Sequence, residues 1–368
     1  MKVLFTSGRA FSPQNTGGVQ SSTMQLASAL KAEGHDVAVL CQLIGGDWTA
    51  FCSRIKRRLK GTRFSCDHVG GVPIFRAWDP TETSEVVARY RPDVAVVQSG
   101  STMEIARSLI EHGVPVVFYY RNVELGELNG NPAELKGAGH IANSAFTAKK
   151  YADAFNIEPV VISPLVDRTK YETTTMRRNV TFINPYFHKG RDIAFELAER
   201  CPDIPFTVCE SWGIDEELRT WLDDRLKRLK NVTMRKRTQD MKSIYSNAKI
   251  LLAPSVWEEA WGRVATEAQF SGIPVLGSNR GGLPEAIGPG GVILSPEDPI
   301  EEWVDALRRL WDDAEFYSEK SQLALEHASR DQIKPDHQIA TLVDVLQNTI
   351  AKASKQGESA REPVPDGR

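Results

Sequence analysis

Short apolar runs alternate along this chain with longer segments whose apolar residues recur every three or four positions. The runs predict buried strands and the periodic segments predict amphipathic helices. In the first half the strands fall at residues 2–6, 36–41, 93–98, 115–119, 140–143 and 160–162. Helices are predicted over 19–33, 102–111 and 145–155. The first of these carries Val19, Met24, Leu26, Ala27 and Leu30 on its apolar face, and Gly34 stops it. A polar stretch, 168–179, follows Pro164 and reads as a linker. A second series then begins, with strands at 180–184, 206–209, 231–235, 250–253 and 273–276 and helices at 192–200, 263–270, 299–311 and 336–351. Two such series predict an α/β protein of two domains, 1–165 and 166–335, with a terminal helix at 336–353 and a disordered tail at 354–368.

At 368 residues the chain is long for a single core, which agrees with two domains. A hydrophobic content of 41% with 25% charged residues is ordinary for a soluble globular protein. The net charge of −3 argues against a dedicated nucleic-acid binder. Five cysteines without a Cys-x-x-Cys fit reduced thiols, and no apolar stretch approaches the ~20 residues of a membrane span. The chain opens directly on a strand, with no visible signal peptide, so a cytoplasmic location is expected. The first strand leads into Gly17-Gly18 rather than a Gly-x-Gly-x-x-Gly, which disfavours a nicotinamide cofactor. No Asp-x-Asp and no ligand-spaced His/Asp/Glu cluster occurs, so neither a metal nor a resident cofactor is expected.

Residues 48–63 stand apart. Trp48, Phe51, Cys52, Ile55 and Leu59 recur at helical spacing, and Arg54, Lys56, Arg57, Arg58, Lys60 and Arg63 surround them without an acid. Two readings are open: a solvated helix packed on its own domain, or a peripheral surface for an anionic membrane or acceptor.

The chemistry concentrates between residues 254 and 285. The apolar strand 250–253 ends at Pro254-Ser255, and the loop Val256-Trp257-Glu258-Glu259-Ala260-Trp261-Gly262 leads to a helix from Arg263. Ligands of open α/β sheets bind at the carboxyl ends of strands, where this loop lies. Gly262 permits close backbone approach, and the free N–H groups around Arg263 and Val264 suit an anion. Glu267, within that helix, suits a ribose diol better than a phosphate. Glu259 precedes the helix and suits a sugar on the other side of the phosphates. Eight residues of helix would span roughly 12 Å, more than the about 5–9.5 Å of a glycosidase carboxylate pair.

This string resembles the signature of the retaining glycosyltransferases of family 4. The matching features are Pro254-Ser255, Glu259-x7-Glu267 with Gly262, Glu267-Ala268, Gly272-Ile273-Pro274-Val275 and Gly281-Gly282-Leu283-Pro284-Glu285. The resemblance implies the GT-B fold, two Rossmann-like domains facing each other across a cleft, with the terminal helix crossing back to the first domain. It implies transfer of a sugar from a UDP- or GDP-linked donor to a small-molecule, glycan or lipid-linked acceptor. It gives Glu259 the donor sugar and Glu267 the ribose. Lys189 resembles the phosphate-binding lysine, and Gly17 and Gly18 the glycine loop that meets the diphosphate. Two positions depart from the pattern. Asn184 stands where an arginine usually accompanies the lysine, and Arg121 lies where many members carry a histidine segment. Arg263 is the best substitute cation, and Arg121 is either a second one or a structural ion-pair partner. A nucleotide-sugar epimerase or phosphorylase of the same architecture, and a catalytically silent sugar-nucleotide-binding scaffold, remain alternatives.

Overall fold

The computed structural model describes residues 1–15, 17–211 and 213–359. The chain forms two compact units, Met1–Leu165 joined by the C-terminal segment from Pro335, and Val166–Lys334. In the first unit the strands are β1 (Lys2–Ala10), β2 (Asp36–Gln42), β3 (Phe64–Val69), β4 (Val72–Ala77), β5 (Val94–Val97), β6 (Val116–Tyr120), β7 (Gly139–Ala142) and β8 (Val160–Val161). They form one sheet in the order β3-β4-β2-β1-β5-β6-β7-β8. Every pair is parallel except β3 with β4.

Both faces of this sheet are covered. Alternating side chains of β1 point to opposite faces, as the pleat requires. Val3 and Phe5 pack with Leu26 and Leu30 of the helix Gly18–Ala32, and Leu4 packs with Met103, Ile105 and Leu109 of the helix Thr102–Glu111. The terminal helix, Pro335–Ser359, brings Ile339, Leu342 and Leu346 onto the first of those faces. It therefore belongs to the first unit although the whole second unit precedes it in the chain. It also runs beyond the 336–353 expected from sequence. Residues 354–359 are helical rather than the start of a disordered tail, because Ala353, Lys355 and Gln356 are good helix formers and continue the turn. The remainder of the expected tail lies outside the described residues.

The second unit has β9 (Asn179–Ile183), β10 (Phe206–Cys209), β11 (Val232–Arg235), β12 (Ala248–Ala253), β13 (Val275–Ser278) and β14 (Gly291–Leu294). Their order is β11-β10-β9-β12-β13-β14, all parallel. In each sheet the winding reverses once. The reversal falls between β1 and β5 in the first and between β9 and β12 in the second. Loops leaving the two strands at a reversal diverge to opposite faces and leave a crevice at their carboxyl ends. Among the described residues no helix is long and apolar enough to cross a membrane.

A partly buried histidine gives the first unit a pH dependence. His140 lies on β7, its Nδ1 2.8 Å from the Tyr120 hydroxyl, with its ring stacked on Phe118. Burial, aided by Lys352, pushes its pKa down to about 4 from the ordinary 6.5. The unfolded chain takes up this proton first, so stability is complete above pH ~6.5 and falls as the pH drops toward 4. The loss amounts to about 3 kcal/mol. Denaturant unfolding between pH 7.5 and 4 is expected to show this slope in the native chain and to lack that part of it in His140→Phe.

Candidate active site

The reversal between β9 and β12 gathers the residues singled out in the sequence. The loop after β9 runs from Asn184 through a single 3-10 turn, Phe187–Lys189, into the helix Arg191–Arg200. The loop after β12 runs from Pro254 to Gly262. The two touch closely at Gly190, whose φ is +80° and where a Cβ would lie 1.9 Å from the Pro254 carbonyl oxygen. Only glycine satisfies both conditions. The N–H groups of Val256 and Trp257 both donate to the His188 carbonyl, at 3.1 and 3.2 Å, and close the seam.

This seam brings Lys189 to Glu259. The ammonium lies 2.5 Å from Glu259 Oε1, with the two side chains 22% and 17% exposed. Ser255 Oγ donates to the same oxygen at 2.5 Å, and Ser278 Oγ at the end of β13 donates to the Ser255 carbonyl at 2.6 Å. The backbone of Glu259 is held as well. It bridges to Gly281, and its carbonyl accepts from Gly282 N–H at 2.6 Å. Gly281 has φ +61°, and a Cβ there would lie 2.2 Å from the Glu259 oxygen. The Gly281-Gly282 pair of the signature thus places the carboxylate. Loops from three adjacent strands, β9, β12 and β13, converge on it.

Glu267 belongs to a second network. It sits on the helix Arg263–Gln269, whose N-cap is Gly262, and is 6% exposed. Tyr245 OH donates to its Oε2 at 3.0 Å, and Arg263 Nε lies 3.5 Å from Oε1. Arg263 Nη2 also donates to Tyr171 OH at 3.3 Å. Burial pushes the Glu267 carboxyl up, and Arg263 with the tyrosine hydroxyls opposes that shift. Val264 packs at the edge of the apolar cluster beneath this helix. The two glutamates therefore answer to different partners.

Asn184 follows β9 directly. Its φ is +70°, a left-handed conformation that asparagine adopts more readily than most residues. Its N–H donates to the Cys209 carbonyl at 2.8 Å, and its side chain is buried with Oδ1 lacking a hydrogen-bond partner among the described residues. Arg263, the expected substitute for an arginine there, is engaged with Glu267 and Tyr171.

The first unit places Gly17 and Gly18 at its own reversal. Gly17 is the N-cap of the helix Gly18–Ala32, without a side-chain cap and without an acid in the first turn. The loop before it is held by Arg76 of β4, whose side chain is fully buried. Its guanidinium donates to the carbonyls of Phe11, at 3.2 Å, and Ser12, and pairs with Asp67 at 3.0 Å. Arg121 follows β6 and is also buried, its guanidinium 4.0 Å above the Tyr119 ring. Arg76, Tyr171 and Tyr245 are contributors the sequence reading passed over, and Ser255 figures there only as a motif position, not as a partner of Glu259. No local signal in the sequence marked Arg76, Tyr171 or Tyr245. Among the described residues no group of three or more His, Cys, Asp or Glu is placed to hold a metal.

The Lys189–Glu259 pair is partly exposed but close enough to couple energetically. Denaturation of Lys189→Met, Glu259→Gln and the double variant at pH 7 is expected to give a coupling of about 1–3 kcal/mol. A coupling indistinguishable from zero would mean that the pair does not form in solution.

Comparison with known proteins agrees with this architecture. Residues 16–170 match the family described as Glycosyltransferase Family 4, and residues 196–313 match that described as Glycosyl transferases group 1. Curated relatives include the D-inositol 3-phosphate glycosyltransferases of Corynebacterium diphtheriae and Corynebacterium urealyticum. The first is 41% identical over 93 residues, covering 25% of this chain and 21% of the relative. The second is 30% identical over 183 residues, covering 46% of this chain and 42% of the relative. The match thus spans less than half the length of these relatives. Among solved structures, Anabaena HepE in complex with UDP and glucose superposes with a TM-score of 0.74 at 16% identity, covering 94% of this chain and 99% of that one. A glycosyltransferase from Rickettsia africae gives a TM-score of 0.74 at 14% identity, with coverage of 95% and 98%. The fold, shared over nearly the full length of the chain, is GT-B, and two family matches that divide the chain much as its two sheets do place it with the glycosyltransferases of family 4.

Proposed function

We propose that this protein transfers a glycosyl group from a nucleoside diphosphate sugar, UDP- or GDP-linked, to an acceptor, with retention of anomeric configuration and without a metal ion. The observation that carries the reading is the meeting of Lys189 and Glu259 at the crevice between β9 and β12. A cation for a diphosphate and a carboxylate for sugar hydroxyls stand side by side there. That HepE is solved in complex with UDP and glucose favours a uridine nucleotide among the donors.

In this reading Glu267 accepts from the ribose diol, and Gly262, Val264 and Arg263 offer backbone N–H groups and charge to the diphosphate. The bond from the anomeric carbon to the diphosphate oxygen breaks. The acceptor oxygen bonds to the same face of that carbon, and its proton passes to the departing diphosphate. Negative charge grows on the leaving group, so Lys189 stabilises the transition state more than the ground state. Gly17, Gly18 and Arg121 are proposed as further diphosphate or acceptor contacts on the resemblance alone. The protein works in the cytoplasm in this reading.

The test is to incubate the protein with UDP-, GDP- and ADP-sugars and a panel of acceptors that includes D-inositol 3-phosphate. Product anomers are assigned by NMR, with and without excess chelator. Acceptor-dependent transfer with retention, unchanged by chelator, is expected. Nucleotide-sugar turnover without an acceptor would favour epimerisation, tight binding without turnover a silent scaffold, and abolition by chelator with rescue by Mn2+ a metal-dependent reaction.

A further inference from the structure

The helix Trp48–Lys60 turns its large apolar side chains away from the protein. Trp48 is 75% exposed, Phe51 51%, Ile55 46% and Leu59 82%, whereas Ala50 and Ser53 are buried. At 3.6 residues per turn the four apolar residues form one stripe, and Ala50, Ser53 and Arg57 lie opposite it against the domain. Arg54 and Arg58 flank the stripe on one side, and Lys56 and Lys60 on the other. Ile44, just ahead of the helix, is also exposed. A surface helix ordinarily faces its apolar stripe to the core. This one is docked by small residues and presents the stripe to solvent.

The charges around the stripe are available. The helix contains no acid, and its N-cap Asp47 is occupied by the Ala50 N–H and Gln14. Among the described residues Arg54, Lys56, Arg58 and Lys60 take part in no ion pair, whereas Arg63 beyond the helix pairs with Glu82. Trp48 and Phe51 stack with their ring centroids 5.3 Å apart at the amino end, and Arg54 lies over the Trp78 ring at 5.4 Å.

We propose that this helix docks the protein on an anionic lipid surface, lying flat with Trp48, Phe51, Ile55 and Leu59 in the headgroup–acyl boundary and the two basic rows on lipid phosphates. Charge selects this occupant. A second copy meeting the stripe symmetrically would bring like-charged rows together. A lipid surface instead meets cations on both flanks and takes a narrow apolar stripe to a depth of about 5–10 Å. Tryptophan at one end suits that interface. The inference is independent of the donor reading and holds for a protein of any activity.

The test is flotation of the full-length protein with phosphatidylcholine vesicles and with vesicles containing about 30% phosphatidylglycerol. Binding to the anionic vesicles is expected to exceed that to neutral ones by at least about tenfold, and to fall several-fold as salt rises from about 0.1 to 0.5 M. Trp48→Ser/Phe51→Ser/Leu59→Ser should abolish it without lowering the melting temperature. Lys56→Glu/Lys60→Glu should reduce it about tenfold or more, and carries the test if the triple variant fails to fold. Equal binding to both vesicle types, or undiminished binding by either variant, overturns the proposal. So does a lipid-free dimer, or a complex with an acidic protein, that the variants dissolve while vesicles leave it intact.

Discussion

Adjacency of β9 and β12 is the constraint on which the candidate site of the second unit depends. These strands are neighbours although two strand–helix turns separate them in the chain. Their loops leave toward opposite faces and can meet only across the crevice that this creates. The meeting is made tight by Gly190, which lets one loop's backbone rest on the Pro254 carbonyl. Lys189 then has Glu259 within 2.5 Å. The β13 loop adds Gly281 and Gly282, which fix the glutamate's backbone. No single loop builds the site, and each loop is positioned by the strand it leaves.

The two glutamates of the signature are prepared differently. Glu259 is charge-compensated by Lys189 and bonded by Ser255 through one oxygen. Glu267 is buried, and its desolvation is offset by Arg263 and by two tyrosines that remain protonated, burial having raised their own pKa values. A buried carboxylate with fixed donors is rigid. A carboxylate sharing a lysine can exchange partners when a ligand arrives. The first unit applies the same economy of position, with buried Arg76 holding the loop ahead of Gly17 and Gly18 by two backbone carbonyls.

Much of the framework was legible in the sequence because parallel strands buried on both faces are continuous apolar runs. Val94–Val97, Val116–Tyr120 and the 250–253 part of β12 are of this kind. The hairpin of β3 and β4 was not read, since Ser65, Asp67 and His68 interrupt its apolar pattern. Gly70-Gly71 at its tip was the signal that could have revealed it. The short strand Gly291–Leu294 was obscured by its glycine-rich approach. The candidate site was legible as a set of residue types, not as contacts. Lys189 and Glu259 are 70 positions apart, and only strand order brings them together. Arg263 is the substitute cation the signature suggests, and its pairing with Glu267 in the same helix is visible in the sequence only as an i, i+4 spacing. The outward turn of the helix Trp48–Lys60 could not be read, because an amphipathic pattern does not say which face meets the protein.

In the proposed donor role, Lys189 must leave Glu259, 2.5 Å away, before it can reach a diphosphate. Calorimetric titration of UDP into the native protein and into Glu259→Gln tests it most directly. If the pair must open for the lysine to reach phosphate, removing the carboxylate's charge releases the lysine. UDP should then bind about five- to tenfold more tightly, the equivalent of roughly 1 kcal/mol for a partly exposed pair, while sugar transfer falls. UDP affinity that is unchanged or weaker in Glu259→Gln would contradict the account.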